Sequence, residues 1–176
     1  FSPSELNSIS VHKISDGNTI TTNFNKFNII YTPGHTLDHV VLCDHENNLL
    51  FVGDVLFRLG CGRVFEGTLE QMQNSLLKLF NLSDEMLVYC GHEYTLNNLK
   101  FLEHIFKKNK ILKSVKKTII TELNSKKRSI PFHLGDEKKC NPFLNQNCEM
   151  ALELRSKNNY SDFEFFTYLR EGKDSF

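Results

Sequence analysis

The sequence predicts an α+β fold, a β-rich first part (residues 1–92) followed by a helical second part (residues 93–176). Three observations predict it. Up to Cys90, apolar residues come in short runs stopped by Gly, Pro, Asn or Asp, the pattern of strands and turns. From Thr95 onward they recur at three- and four-residue spacing, the pattern of helices packed along one side. The 176 residues also suffice for one sizeable core, with 15 Phe and no Trp to fill its aromatic positions.

The elements follow in chain order. Val11-His12-Lys13-Ile14 is a short strand, turned by Asp16-Gly17-Asn18. Phe27 to Thr32 is a second strand, broken by Pro33-Gly34. His39 to Cys43 and Leu49 to Val52 are the third and fourth, with a polar turn at 44–48. Two of these runs are apolar at nearly every position, which predicts strands covered on both faces. Thr68 with Gln71 reads as a capping box, and Met72, Leu76, Leu79 and Phe80 form a helical stripe behind it. Met86 to Cys90 is the fifth strand. Thr95 is placed to cap a helix running to about Lys108, with Leu99, Leu102, Ile105 and Phe106 inward. A second helix covers Leu112 to Asn124, with Val115, Ile119, Ile120 and Leu123 inward. Pro131 stops regular structure, and Asn141-Pro142-Phe143 is a turn. Glu149 to Ser156 is a short helix, and Asp162 caps a last one through Leu169.

Composition excludes several function classes. Lys+Arg and Asp+Glu are both 21, so no global field draws the chain to nucleic acid or to an anionic membrane. Segment 100–128 is locally basic, with nine Lys and Arg128 against Glu103 and Glu122, a net of +8. It lacks a nucleic-acid reading motif, and a solvated helix face accounts for it. No apolar run reaches the length of a membrane span. No nucleic-acid or membrane partner is therefore expected. The chain starts at Phe1 without a signal-peptide pattern, which reads as processed or incomplete. Five Cys without CxxC spacing suit free thiols in a reducing compartment, cytoplasmic or mitochondrial.

Four segments carry chemistry. In Thr32-Pro33-Gly34-His35-Thr36 the strand breaks and exposes an imidazole. Phe51-Val52-Gly53-Asp54 ends an apolar strand in a carboxylate, which needs a metal, a helix N-terminus or Arg58 as a partner. Tyr89-Cys90-Gly91-His92 repeats the design of apolar strand, glycine and potential ligand. Two His and one Asp suit zinc, iron or manganese. In Gly60-Cys61-Gly62-Arg63, Cys61 reads as a small buried apolar residue rather than a nucleophile.

Taken together, Thr-Pro-Gly-His-Thr at 32–36, Phe-Val-Gly-Asp-Val-Leu-Phe at 51–57, Gly-Cys-Gly-Arg-Val-Phe-Glu-Gly-Thr at 60–68, Tyr-Cys-Gly-His-Glu-Tyr-Thr at 89–95 with Asn98, and Leu-Arg-Glu-Gly-Lys-Asp-Ser-Phe at 169–176 resemble glyoxalase II, the hydroxyacylglutathione hydrolase family of the metallo-β-lactamase superfamily. The resemblance implies the later half of an αββα sandwich over residues 1–92 and a helical glutathione-binding subdomain over 93–176. It implies metal-assisted hydrolysis of glutathione thioesters such as S-D-lactoylglutathione, a small-molecule substrate, by a monomer. On this pattern His35, Asp54 and His92 are the metal ligands and carry the catalysis, and Asp54 bridges two metals. His39 supports them from behind. Arg63, Phe65, Tyr94, Arg170 and Lys173 bind substrate, with Phe65 and Arg63 standing where many relatives have tyrosine and lysine. The family's Thr-His-x-His-x-Asp-His segment does not occur in the 176 residues. The expectation is two divalent metals in the full-length enzyme, zinc first and iron or manganese as alternatives. At most one weakly held metal is expected in this chain.

Overall fold

In the computed structural model the strands form where the apolar runs lie. The structure describes residues 14–107 and 109–176; Val11, His12 and Lys13 of the first expected strand lie outside them. The first part holds β1 (Thr19–Thr21), β2 (Lys26–Tyr31), β3 (Val40–Asp44), β4 (Leu49–Gly53), β5 (Leu56–Phe57), β6 (Gly60–Cys61), α1 (Leu69–Phe80) and β7 (Leu87–Cys90). The second part holds α2 (Thr95–Ile105), α3 (Lys110–Lys126), β8 (Phe132–His133), α4 (Leu134–Cys140), α5 (Glu149–Asn158) and α6 (Asp162–Asp174).

Six strands make one mixed sheet in the order β1-β2-β3-β4-β7-β8, and β5 and β6 form a separate hairpin. β2, β3 and β4 pair antiparallel in sequence, while β4 and β7 run parallel, joined by a crossover that contains α1. β2, β4 and β7 therefore point the same way. Their C-terminal ends share one edge of the sheet, and the residues just past those ends are the ones that carry chemistry.

One face of the sheet is the core. Leu50 lies between Cys43 and Val88 in register, all three fully buried. They share a core with Met72, Leu76 and Leu79 of α1 and with Phe165, Phe166 and Leu169 of α6. The opposite face carries the row Leu42–Phe51–Tyr89. There Phe51 stacks on Tyr89 at 5.1 Å and meets Phe27 edge-on at 5.8 Å, yet it is 36% exposed. The expectation of two covered faces thus fails at Phe51. Alternate strand residues point to opposite faces, so an all-apolar run shows that both faces are apolar, not that both are covered.

The helix ends teach similar corrections. The Thr68–Gln71 capping box forms as expected, which contributes about 1 kcal/mol to α1. The last helix is capped by Ser161 with Glu164 rather than by Asp162, and runs on to Asp174. Thr95 sits inside α2, not at its cap; its hydroxyl donates to Glu93 Oε1 at 2.9 Å, and the helix ends at Ile105. Ile120, expected inward, is 39% exposed on α3. Pro131 does not end regular structure: after a cis Ile130–Pro131 bond, β8 pairs with β7, so the second part adds a strand to the first part's sheet. Among the described residues no helix is long and apolar enough to cross a membrane.

Candidate active site

The shared edge of β2, β4 and β7 delivers three side chains to one place. His35 Nε2 and His92 Nε2 each lie 3.5 Å from Asp54 Oδ2. A bulge between Phe51 and Gly53 in the β4–β7 register turns Asp54 out of the sheet. Gly53 is required at that bend. Its φ is +50°, and a Cβ there would come within 2.8 Å of His39 Nε2. Gly91 is required by close approach, since its Cβ would meet Asp54 Oδ1 at 2.4 Å.

Hydrogen bonds fix the ring orientations. His35 Nδ1–H donates to the Arg63 carbonyl at 2.9 Å, which leaves Nε2 bare toward Asp54. His39 lies behind the cluster. Its Nε2 accepts from the Asp54 backbone N–H at 3.3 Å, and its Nδ1 meets the Thr32 hydroxyl at 2.8 Å. Burial, and His35 beside it, hold the His39 imidazole below its usual pKa, in the neutral form those bonds need. Phe65 tilts on His35 at 5.0 Å between centroids, and Tyr94 stacks on His92 at 4.9 Å.

Of the partners that its position on an apolar strand end suggested, Arg58 is not the one Asp54 meets. Arg58 turns away to Glu122 and to the Ser129 carbonyl. Among the described residues Asp54 Oδ1 is buried with no hydrogen-bond partner. A buried lone carboxylate oxygen is costly unless a cation meets it. Two imidazoles and a carboxylate with such an oxygen fit a divalent metal in donor type. The set is open, two His–Asp pairs sharing Asp54. Among the described residues no three or more His, Cys, Asp or Glu side chains stand close enough together to hold a metal ion as they are placed, so the fit is one of donor type.

The cluster opens into a cleft of about 470 Å³. Arg63, Phe65, Tyr94, Arg170 and Lys173 all line it, together with Phe57, Cys61, Asn97, Asn98 and Phe176. The predicted residues are thus brought together, with His39 just behind. Their settings differ. Arg63 is 61% exposed and faces Asp174 Oδ1 at 3.4 Å. Lys173 lies over Phe101 and Phe176 and donates to the Asn97 carbonyl at 3.2 Å. Burial, then Arg170 and Arg63, lower its pKa to about 8. Arg170 is 3% exposed; Nη1 donates to the Cys61 carbonyl at 2.8 Å and Nη2 to Asp174 Oδ1 at 2.9 Å. Burial pushes the Cys61 thiol up, against a thiolate nucleophile. Sequence reasoning gave no site role to Asn97, which carries no local signal, or to Phe57 and Phe176, which stand within the family-like stretches 51–57 and 169–176.

The chain is similar to known proteins along most of its length. Residues 5–92 match the metallo-β-lactamase superfamily, and residues 93–176 match the hydroxyacylglutathione hydrolase C-terminus. A hydroxyacylglutathione hydrolase of Marinomonas sp. is 36% identical over 183 residues, covering all of this chain and 71% of the relative. That of Pseudoalteromonas translucida is 43% identical over 171 residues, covering 93% of this chain and 65% of the relative. That of Bartonella tribocorum is 44% identical over 145 residues, 82% of this chain and 57% of the relative. The chain thus spans between 57% and 71% of the length of these relatives. Among solved structures, Myxococcus xanthus ETHE1 superposes with a TM-score of 0.54 at 24% identity, covering 94% of this chain and 62% of that one. The shared architecture is the metallo-β-lactamase fold, of class α+β, continued by a helical C-terminal region. The chain belongs to the hydroxyacylglutathione hydrolase family of the metallo-β-lactamase superfamily.

Proposed function

We propose that the protein carrying this chain hydrolyses S-(2-hydroxyacyl)glutathione thioesters, such as S-D-lactoylglutathione, to glutathione and a 2-hydroxy acid. The observation that carries this is one cleft with two kinds of wall. His35, Asp54 and His92 meet at one part of it, flanked by the rings of Phe65 and Tyr94, and the cations Arg63 and Lys173 line the same cleft. Glutathione is a tripeptide with two carboxylates, which suits those cations. The names of the similar proteins support the same substrate class.

The superfamily implies a divalent metal; zinc is our first assignment, with iron and manganese accepted by the same donors. When bound, such a metal lowers the pKa of water and withdraws charge from the thioester carbonyl. His35 and His92 would hold it through Nε2 and Asp54 through its carboxylate, His35 oriented by the Arg63 carbonyl. His39 fixes the Asp54 backbone. Arg63 and Lys173 place the glutathione part, with Tyr94 and Phe65 as apolar walls. The net reaction adds water: a C–O bond forms at the carbonyl carbon, the C–S bond breaks, and glutathione leaves as the thiol. In our reading residues 1–92 supply the metal side together with Arg63 and Phe65, and 93–176 complete the glutathione side with Tyr94 and Lys173, in a monomer of the cytoplasm or mitochondrion without nucleic-acid or membrane partners.

The test is an assay of the complete gene product, supplied with metal, on S-D-lactoylglutathione and on a thioester lacking the glutathione peptide. Turnover of the first with strong preference over the second is expected. No turnover of either sinks the proposal, and equal turnover sinks the glutathione assignment.

A further inference from the structure

The two-residue turn between β5 and β6 is buried, and its chemistry is unusual. Arg58 is 8% exposed and Leu59 fully buried. Leu59 has φ +60°, a conformation that glycine or asparagine usually supplies in such turns. A buried turn must satisfy its backbone polar groups with side chains. Here the partners come from the second part of the chain. Leu59 N–H donates to Glu137 Oε2 at 2.7 Å. Asn141 Nδ2 donates to the Phe57 carbonyl at 3.2 Å, the Gly60 carbonyl at 3.1 Å and Glu137 Oε2 at 2.9 Å. Asn98 Nδ2 donates to the Arg58 carbonyl at 3.0 Å.

The hairpin connects two parts of the site. Its first strand follows Asp54 and Val55, and its second leads through Gly62 to Arg63. Gly62 N–H donates back to the Val55 carbonyl at 3.3 Å, closing the neck of the hairpin. Beyond that neck, the Arg63 carbonyl takes the proton of His35 Nδ1. Where the turn sits therefore decides where Asp54 emerges and where that carbonyl stands.

We propose that Glu137, acting with Asn141, is a positioning residue for the active site: it fixes the β5–β6 turn through Leu59 N–H, and so holds the Arg63 carbonyl against His35 Nδ1. The role in turnover rests on the thioesterase reading, while the clamp itself does not. Glu137 is fully buried and lies outside the cleft, so it touches no substrate. The acceptor oxygen is what the clamp needs, and a carboxamide supplies one too.

The experiment compares Glu137→Ala, Glu137→Asp and Glu137→Gln in the complete, metal-loaded gene product. Three quantities are read: amide exchange at Leu59, the His35 Nδ1–H resonance, and kcat/KM on S-D-lactoylglutathione. Glu137→Ala is expected to speed Leu59 exchange about a hundredfold, to broaden or remove the His35 signal, and to lower kcat/KM by about ten- to a hundredfold. Glu137→Gln is expected to keep all three within about threefold. Glu137→Asp, one methylene shorter, falls between, and supplies the reading if Glu137→Ala does not fold. A wild-type protein without thioesterase activity defeats the functional reading, and the two resonance measurements then decide the clamp alone. Unchanged Leu59 exchange in the Ala and Asp variants overturns the proposal. So does a retained His35 signal after the Leu59 amide is freed, and so does a Gln variant as damaged as Ala.

Discussion

The β5–β6 hairpin has two ends, built in opposite ways. At its turn, backbone groups of Leu59, Phe57, Gly60 and Arg58 meet side chains of Glu137, Asn141 and Asn98. At its open end, Asp54 keeps a buried oxygen with no partner, and His92 is half-exposed. One end is polar and satisfied; the other is polar and left wanting. Native proteins satisfy buried polar groups, and the exceptions gather where a ligand is meant to complete them. The contrast separates support from chemistry within six residues of chain.

The contrast breaks first at Asp54. Asp54→Asn is expected to cost at least about a thousandfold in kcat on the thioester. In the metal-free protein its melting temperature should hold level or rise, since the substitution relieves the carboxylate oxygen Oδ1 that lacks a hydrogen-bond partner among the described residues. A large fall in melting temperature with activity retained would reverse the two roles. Asn141→Ala attacks the other end. It removes the bonds to Phe57, Gly60 and Glu137 and frees the Phe143 N–H. Chemical denaturation should show a loss of about 4 kcal/mol.

A pH titration sharpens the comparison. Burial pushes Glu137 up to about 7, against the opposing pull of Leu59 N–H, Arg58 and Asn141, with Asp136 adding to the rise. Cys140, whose thiol burial itself pushes up, also faces it. The fold therefore favours the protonated acid. The stability this contributes is fully present below the ordinary carboxyl pKa of about 4.5. It is lost as pH rises through about 7, and amounts to on the order of 3 kcal/mol. Melting temperature should fall between those pH values in the wild type and stay flatter in Glu137→Gln. Equal slopes in both would remove Glu137 as the titrating group.

Two smaller effects test the cleft wall. Lys173→Gln should raise KM for the glutathione thioester about tenfold with kcat little changed. Because Lys173 is charged only below about 8, wild-type KM should climb as pH passes that value, and the variant should lack the climb. Phe65→Tyr, which adds a hydroxyl to an exposed ring, should lower KM by about two- to threefold. No change in KM would place that ring outside substrate reach.

Without reaching the short strands β1, β5, β6 and β8, the sequence by itself determined β2, β3, β4 and β7, the Thr68 cap and the three ligand-type residues. Each rests on local rules: apolar runs, breaking glycines, and capping residues three positions apart. It also placed His35, Asp54 and His92 at strand ends, because strand, glycine and ligand are neighbours in the chain. Tertiary structure alone decided that β2, β4 and β7 run the same way, which turns three separate ends into one site. It alone showed that Arg58 abandons Asp54 for Glu122 and Ser129, and that β8 joins the sheet after Pro131. Glu137 was illegible for a physical reason. In Leu-Gly-Asp-Glu-Lys-Lys-Cys it stands among charges that read as a solvated surface, and its partner Leu59 lies 78 residues away. Periodicity reports which side of an element is apolar; it carries no information about which distant backbone group a buried carboxylate will meet.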